Sequence, residues 1–139
     1  MDLETKRVYR VCKKREIRKV LRNSFSNLGE KYFNNKKKHM HFFTTKNDAL
    51  RVSNTNNRFL CTYDISTTIL DGGRFVSEYV DRYGYHKLEP VEEFAIKSKC
   101  LNKDNIFAIE EMDSELSQNG YTTDKSIDEC VKVLYKKKK

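Results

Sequence analysis

Two adjacent carboxylates, Glu92 and Glu93, stand at the root of the apolar run Phe94-Ala95-Ile96. Residues 89–97 read as a core strand. Successive strand side chains leave on opposite faces, so Glu93 shares one face with Val91 and Ala95, and Glu92 shares the other with Phe94 and Ile96. Any fold that uses this strand turns one carboxylate towards apolar surroundings. The simple outcomes are an edge strand with both carboxylates at the rim, or a structural pair with an arginine. The functional outcome is a carboxylate held ready for chemistry.

The rest of the chain supplies a frame for that strand. Arg7 to Cys12 alternates polar and apolar residues and reads as a strand. Lys13 to Phe25 places Ile17, Val20, Leu21 and Phe25 on one face at helical spacing. Asn23 to Lys38 reads as a long basic loop. Met40 to Thr44 is a short aromatic strand, and Thr45 is placed to cap a helix through Val52, with Ala49, Leu50 and Val52 inward. Ser53 to Asn57 reads as a turn, and Arg58 to Ile65 as a strongly apolar strand. Ser66 to Leu88 reads as a long irregular excursion with Gly72-Gly73 and Gly84 among tyrosines. After Val91 to Ile96 comes a last strand, Asn105 to Glu110. At the end, Ile127, Val131 and Leu134 recur at helical spacing behind Ser126-Ile127-Asp128-Glu129, which fits a capping box; this predicts a C-terminal amphipathic helix. The expectation is one α+β domain over residues 1–139, built on a mixed, split sheet with flanking helices.

Composition narrows the function classes. With 37% hydrophobic residues, 8 Tyr and 8 Phe, the chain carries enough apolar surface for a core. No apolar run approaches the roughly 18 residues of a membrane span, and the start, Met1-Asp2-Leu3-Glu4, does not read as a secretory signal. A cytoplasmic protein without membrane attachment is expected. Cys12, Cys61, Cys100 and Cys130 form no Cys-x-x-Cys pair and read as small buried thiols. His39-x-His41 lacks a helical spacing or a nearby thiol, so no metal site is expected. Phosphate-loop and dinucleotide glycine motifs are absent, as is a serine nucleophile elbow. The net charge of +8 suits an anionic partner. Its lysines, though, fall in clumps at 13–15, 36–38 and 136–139, which solvated loops and termini also explain.

Three features carry chemistry. Arg10 interrupts an otherwise apolar strand, where a guanidinium needs an anionic partner and is suited to a diphosphate. Phe42-Phe43-Thr44-Thr45 ends a strand with two hydroxyls at a helix start. Glu92-Glu93 opens the apolar run. In this order, Tyr-Arg on a first strand, Phe-Phe-Thr-Thr on an inner one and Glu-Glu-Phe-Ala-Ile-Lys on a later one, the chain resembles the mono-ADP-ribosyltransferases over about Arg7 to Ile109.

The resemblance implies an NAD-dependent glycosyl transfer with NAD as substrate. Arg10, with Val11 beside it, would hold the NAD diphosphate or adenine-side ribose. Thr44 would supply the supporting hydroxyl, and Thr45 a cap or second contact. Glu93 would be the catalytic carboxylate, stabilising the oxocarbenium-like transition state through the ribose 2-hydroxyl. Tyr83 and Tyr85 would sit in the target-recognition loop, and the acceptor would be a protein or a nucleic acid. Val91 stands where arginine-modifying members carry an acidic or amide residue, so arginine is not the implied target. NAD hydrolysis is the companion reading. The alternatives are a non-catalytic basic module that binds nucleic acid, and an interaction protein that docks through its terminal helix.

Overall fold

A computed structural model describes residues 4–26, 28–31, 38–52, 59–71, 74–77, 91–112 and 131–137. The alternating segment near the start forms β1 (Thr5–Cys12). It is followed by α1 (Lys14–Leu21), which buries Ile17 and Val20. The helix is shorter than its apolar spacing predicts. Asn23 adopts φ 58°, and its N–H donates to the Val20 carbonyl at 3.0 Å while that of Ser24 donates to Lys19 at 2.9 Å. This left-handed cap satisfies two carbonyls that the helix end would otherwise orphan. Phe25 still reaches the core from outside the helix.

The polar stretch after it holds a two-residue strand, β2 (Glu30–Lys31), antiparallel to β3 (Lys38–Phe43). Gly29 precedes β2 at φ +82°, where an added Cβ would lie 2.0 Å from the His39 carbonyl oxygen. Thr45 caps α2 (Lys46–Val52) as its position predicts, its Oγ1 accepting the Asp48 N–H at 3.1 Å. β4 (Phe59–Ser66) is buried along nearly its whole length, which fits a central strand covered on both faces. The stretch read as irregular opens with a short helix, α3 (Thr67–Asp71), and a strand, β5 (Arg74–Ser77). β6 (Val91–Lys97) carries the acidic pair. Two single-turn 3-10 helices, Ser98–Cys100 and Lys103–Asn105, lead into β7 (Ile106–Met112). The predicted turn at 53–57 lies outside the described residues.

The C-terminal segment differs from the expected helix: Val131–Lys136 is a strand, β8. The helical spacing of Val131 and Leu134 competes there with the alternation Val131, Val133, Tyr135, which is rich in β-forming residues. The free edge of β7 decides the outcome, because pairing with it satisfies a row of backbone groups; the register runs from Ala108↔Lys136 to Met112↔Val131. Residues 126–130 lie outside the described part.

Among the described residues eight strands make one sheet in the order β5-β6-β3-β1-β4-β7-β8, with β2 alongside β3. Every pairing is antiparallel, so the expected mixed sheet is corrected. Although α1 lies between β1 and β3 in sequence, the chain returns antiparallel instead of crossing over to a parallel neighbour. The sheet is continuous but narrow at one join. β1 pairs with β4 over eight positions, from Thr5↔Ser66 to Cys12↔Phe59. It meets β3 at one, Tyr9↔Phe43.

Each face of the sheet carries its own core. On the α1 face, Val8, Cys12, Met40, Phe42, Tyr63 and Phe94 pack with Ile17 and Val20. On the α2 face, Val11, Phe43, Leu60 and Val91 pack with Ala49 and Leu50. Burying aliphatic side chains of this kind stabilises by about 1.5–3 kcal/mol each. No helix among the described residues is long and apolar enough to cross a membrane.

Candidate active site

Register decides which of the predicted residues meet. Phe43 lies opposite Tyr9 on one side and opposite Glu93 on the other. Side chains directly across a ladder share a face, so Tyr9, Phe43 and Glu93 form a row on the α2 face. Val91 and Ala95 share that face with Glu93. Glu92 points the other way, where it meets Lys6 at 3.6 Å.

Glu93 is a buried carboxylate, its side chain 1% exposed, and its Oε1 lies 2.5 Å from Nδ1 of His41. Where the carboxyl is ionised, the ring Nδ1–H donates this bond and the bond sets the tautomer. His41 sits on β3 opposite Ala95, diagonal to Glu93. Its side chain is 26% exposed and is the part of the pair that reaches solvent.

Arg10 has the opposite parity on β1 from Tyr9 and lies on the α1 face, between Val8 and Cys12. Its Nε and Nη2 donate to both oxygens of Glu16 at 2.8 and 2.7 Å, and its Nη1 donates to the His41 carbonyl at 3.2 Å. Burial alone would lower the Arg10 pKa. The attraction of Glu16 and its hydrogen bonds outweigh that and carry it above its ordinary value. The anionic partner that Arg10 requires is thus a carboxylate of α1 in the same chain. Arg10 and Glu93 stand on opposite faces, and His41 links them: its carbonyl takes the guanidinium and its ring takes the carboxylate.

Comparison with protein-family models, curated proteins and solved structures found no match. The chemistry of the site therefore rests on its own residues.

The other predicted positions distribute as follows. Val11 is a buried core residue of the α2 face. Thr44 is half-buried, one residue beyond the Phe43–Glu93 pair. Thr45 spends its hydroxyl on the α2 cap. Tyr83 and Tyr85 lie outside the described residues. On the same face as Glu93, two strands across the sheet, a cavity of about 220 Å³ is lined by Arg7, Tyr9, Lys46, Thr62, Phe107 and Glu110, among others. Tyr9 belongs both to this cavity and to the row that holds Glu93. At about 4.8 Å between strands, Glu93 lies roughly 10 Å from the near edge of the cavity at Tyr9, and the cavity extends from there across β4 and β7. Lys46, at the start of α2, pairs with Glu110 at 3.7 Å on the cavity wall.

No group of three or more His, Cys, Asp or Glu side chains among the described residues is placed to hold a metal ion. Cys12 and Cys61 are buried as expected, with sulfurs 3.7 Å apart, but Cys100 is exposed. Cys100 follows β6 in a single-turn helix, where the apolar pattern that suggested burial has already ended.

Two residues of the site are hard to find from the sequence alone. His41 stands out there only as half of His39-x-His41, and its role as partner of Glu93 depends on the β3–β6 register. Glu16 left a signal: it is the one acid among the cations of residues 13–22, next to the inward-facing Ile17.

Proposed function

We propose that the chain is an NAD-consuming glycosyl-transfer enzyme of the mono-ADP-ribosyltransferase type, passing ADP-ribose to a protein or nucleic-acid acceptor or to water. The observation that carries this reading is the Glu93 carboxylate, buried on the α2 face and fixed by His41, opposite Phe43 and so one residue along the chain from Thr44. The order of Arg10, Thr44 and Glu93 along the chain supports it from the sequence side.

In the reaction the bond between ribose C1′ and the nicotinamide nitrogen breaks, and nicotinamide leaves with the bonding pair, which neutralises its ring. Positive charge then spreads over C1′ and the ribose ring oxygen. A carboxylate hydrogen-bonded to the 2-hydroxyl strengthens its interaction as that charge grows. The acceptor donates an electron pair to C1′ and loses a proton. In this scheme the ribose reaches Glu93 past His41, the partly exposed member of the pair, which orients the carboxylate. Arg10 acts as a positioning residue, because its bond to the His41 carbonyl fixes β3 behind the imidazole. The cavity beside Tyr9 would take the part of NAD remote from the breaking bond, with Arg7, Lys46 and Lys136 in its wall.

The test is nicotinamide release from NAD by the purified chain, followed by chromatography. Glu93→Gln is expected to slow release by about 10²–10³-fold, the usual cost of removing one such stabilising group. Absence of both NAD binding by calorimetry and nicotinamide release, with Glu93→Gln indistinguishable from wild type, would leave Glu93–His41 as a structural pair and the chain as a non-catalytic basic module.

A further inference from the structure

The segment Lys13 to Arg22 holds six cations, Lys13, Lys14, Arg15, Arg18, Lys19 and Arg22, against one anion, Glu16. The fold removes that anion from the surface, since both Glu16 oxygens are engaged by Arg10 and its side chain is 12% exposed. Three described cations elsewhere, Lys6, Arg7 and Lys46, each meet a carboxylate. Among the described residues none of the six cations of this segment does. Cations in the first turn of a helix also oppose its dipole, so helix stability does not account for Lys14 and Arg15.

At the foot of this face a cavity of about 380 Å³ is lined by Arg10, Lys13, Arg15, Glu16, Lys19 and Lys38, with Gly29 at its wall. From Arg15 to Arg22 the helix axis advances about 10 Å. That matches about three rises of about 3.4 Å, the span of four successive phosphates along one strand of a duplex. The apolar residues Ile17 and Val20 are spent on the core, so α1 has no stripe to insert into a lipid surface, as an interfacial helix requires.

We infer that the outer face of α1 and the cavity at its foot bind the phosphate backbone of a nucleic acid. The cavity takes a phosphate at Lys13, Lys19 and Lys38, while Arg15, Arg18 and Arg22 track the strand outward. Such contacts position a backbone and read no sequence. The inference stands apart from the NAD reading, because this face lies across the sheet from Glu93.

The experiment is fluorescence anisotropy of a labelled 20-nucleotide single strand with the full chain over a series of salt concentrations. Wild type is expected to bind with a steep salt dependence. Arg18→Glu/Arg22→Glu should weaken binding at least tenfold and flatten the log–log salt slope by about 1.4, since each lost single-strand contact is worth about 0.7. Arg18→Gln/Arg22→Gln should lose less. Lys99→Glu/Lys132→Glu, the same charge change at exposed sites elsewhere, should change binding less than twofold. Glu93→Gln should bind like wild type, which separates this result from any failure of the NAD chemistry. Equal loss in the control pair would overturn the inference. So would binding to phosphatidylserine vesicles or polyglutamate with none to the oligonucleotide.

Discussion

Replacing Arg10 by methionine removes a guanidinium that makes three hydrogen bonds, two to Glu16 and one to the His41 carbonyl. The carboxylate left behind is confined under α1, with little water to take over. Breaking one side of a buried pair costs about 3–5 kcal/mol. Side-chain exposures of 16% for Arg10 and 12% for Glu16 favour the lower end, so a loss of about 3 kcal/mol is expected. For a chain of this size that lowers the melting midpoint by roughly 10 °C. The double variant Arg10→Met/Glu16→Met removes both charges and should return to within about 1 kcal/mol of wild type, leaving a coupling energy of about 2 kcal/mol or more. Urea unfolding followed by circular dichroism measures all four species of the cycle, Glu16→Met included. If Arg10→Met costs less than about 1 kcal/mol yet abolishes NAD binding, the guanidinium serves the ligand and the structural account of Arg10 fails.

Other expectations concern single sites. Among the described residues the buried Tyr63 hydroxyl has no hydrogen-bond partner, so Tyr63→Phe should stabilise by about 1 kcal/mol; a loss of that size would mean that the hydroxyl is satisfied after all. Gly29→Ala forces a Cβ against the backbone of His39 at a positive φ and should cost at least about 2 kcal/mol in the same unfolding assay, an expectation that a change under 0.5 kcal/mol would contradict. Above neutral pH, stability should fall. The hydrogen bond to Cys61, with burial, raises the Cys12 pKa, and burial raises that of Tyr63. Both groups are neutral in the fold, so their contribution is intact below the unfolded values of about 8.5 and 10. It is lost above them by up to about 1.4 kcal/mol per pH unit per group until the folded pKa is passed. Urea midpoints at pH 7, 9 and 10.5 should decline in that order, and Tyr63→Phe should lose the steepening above pH 10.

Period-two alternation made most strands legible, and it also separated Glu92 from Glu93. Thr45 announced α2 because a hydroxyl before an inward-facing Ala-Leu pair has an evident use at a helix start. The end of α1 was less legible: Asn23 in a left-handed conformation takes the place that a glycine would have marked. The last segment satisfied two periods at once, and only the open edge of β7 favours the strand. The site was legible within strands but not between them. Arg10 and Glu93 each have a clear parity, but whether they share a face depends on Tyr9↔Phe43 and Phe43↔Glu93, a register that composition and spacing do not encode.

The single backbone pair between β1 and β3 has a mechanical consequence. The strands on either side, β1-β4-β7 and β3-β6-β5, are each zipped by long ladders, so the sheet consists of two panels meeting at Tyr9 and Phe43. A tilt about that line breaks one ladder position, strains the Arg10 bond to the His41 carbonyl and shears the side-chain contacts that cross it, such as Phe42 on Tyr63, while every other strand pairing stays closed. Glu93 and His41 ride on one panel, and Tyr9 with its cavity rides on the other. The seam therefore sets the distance between the carboxylate and the cavity, and Arg10 is the latch across it.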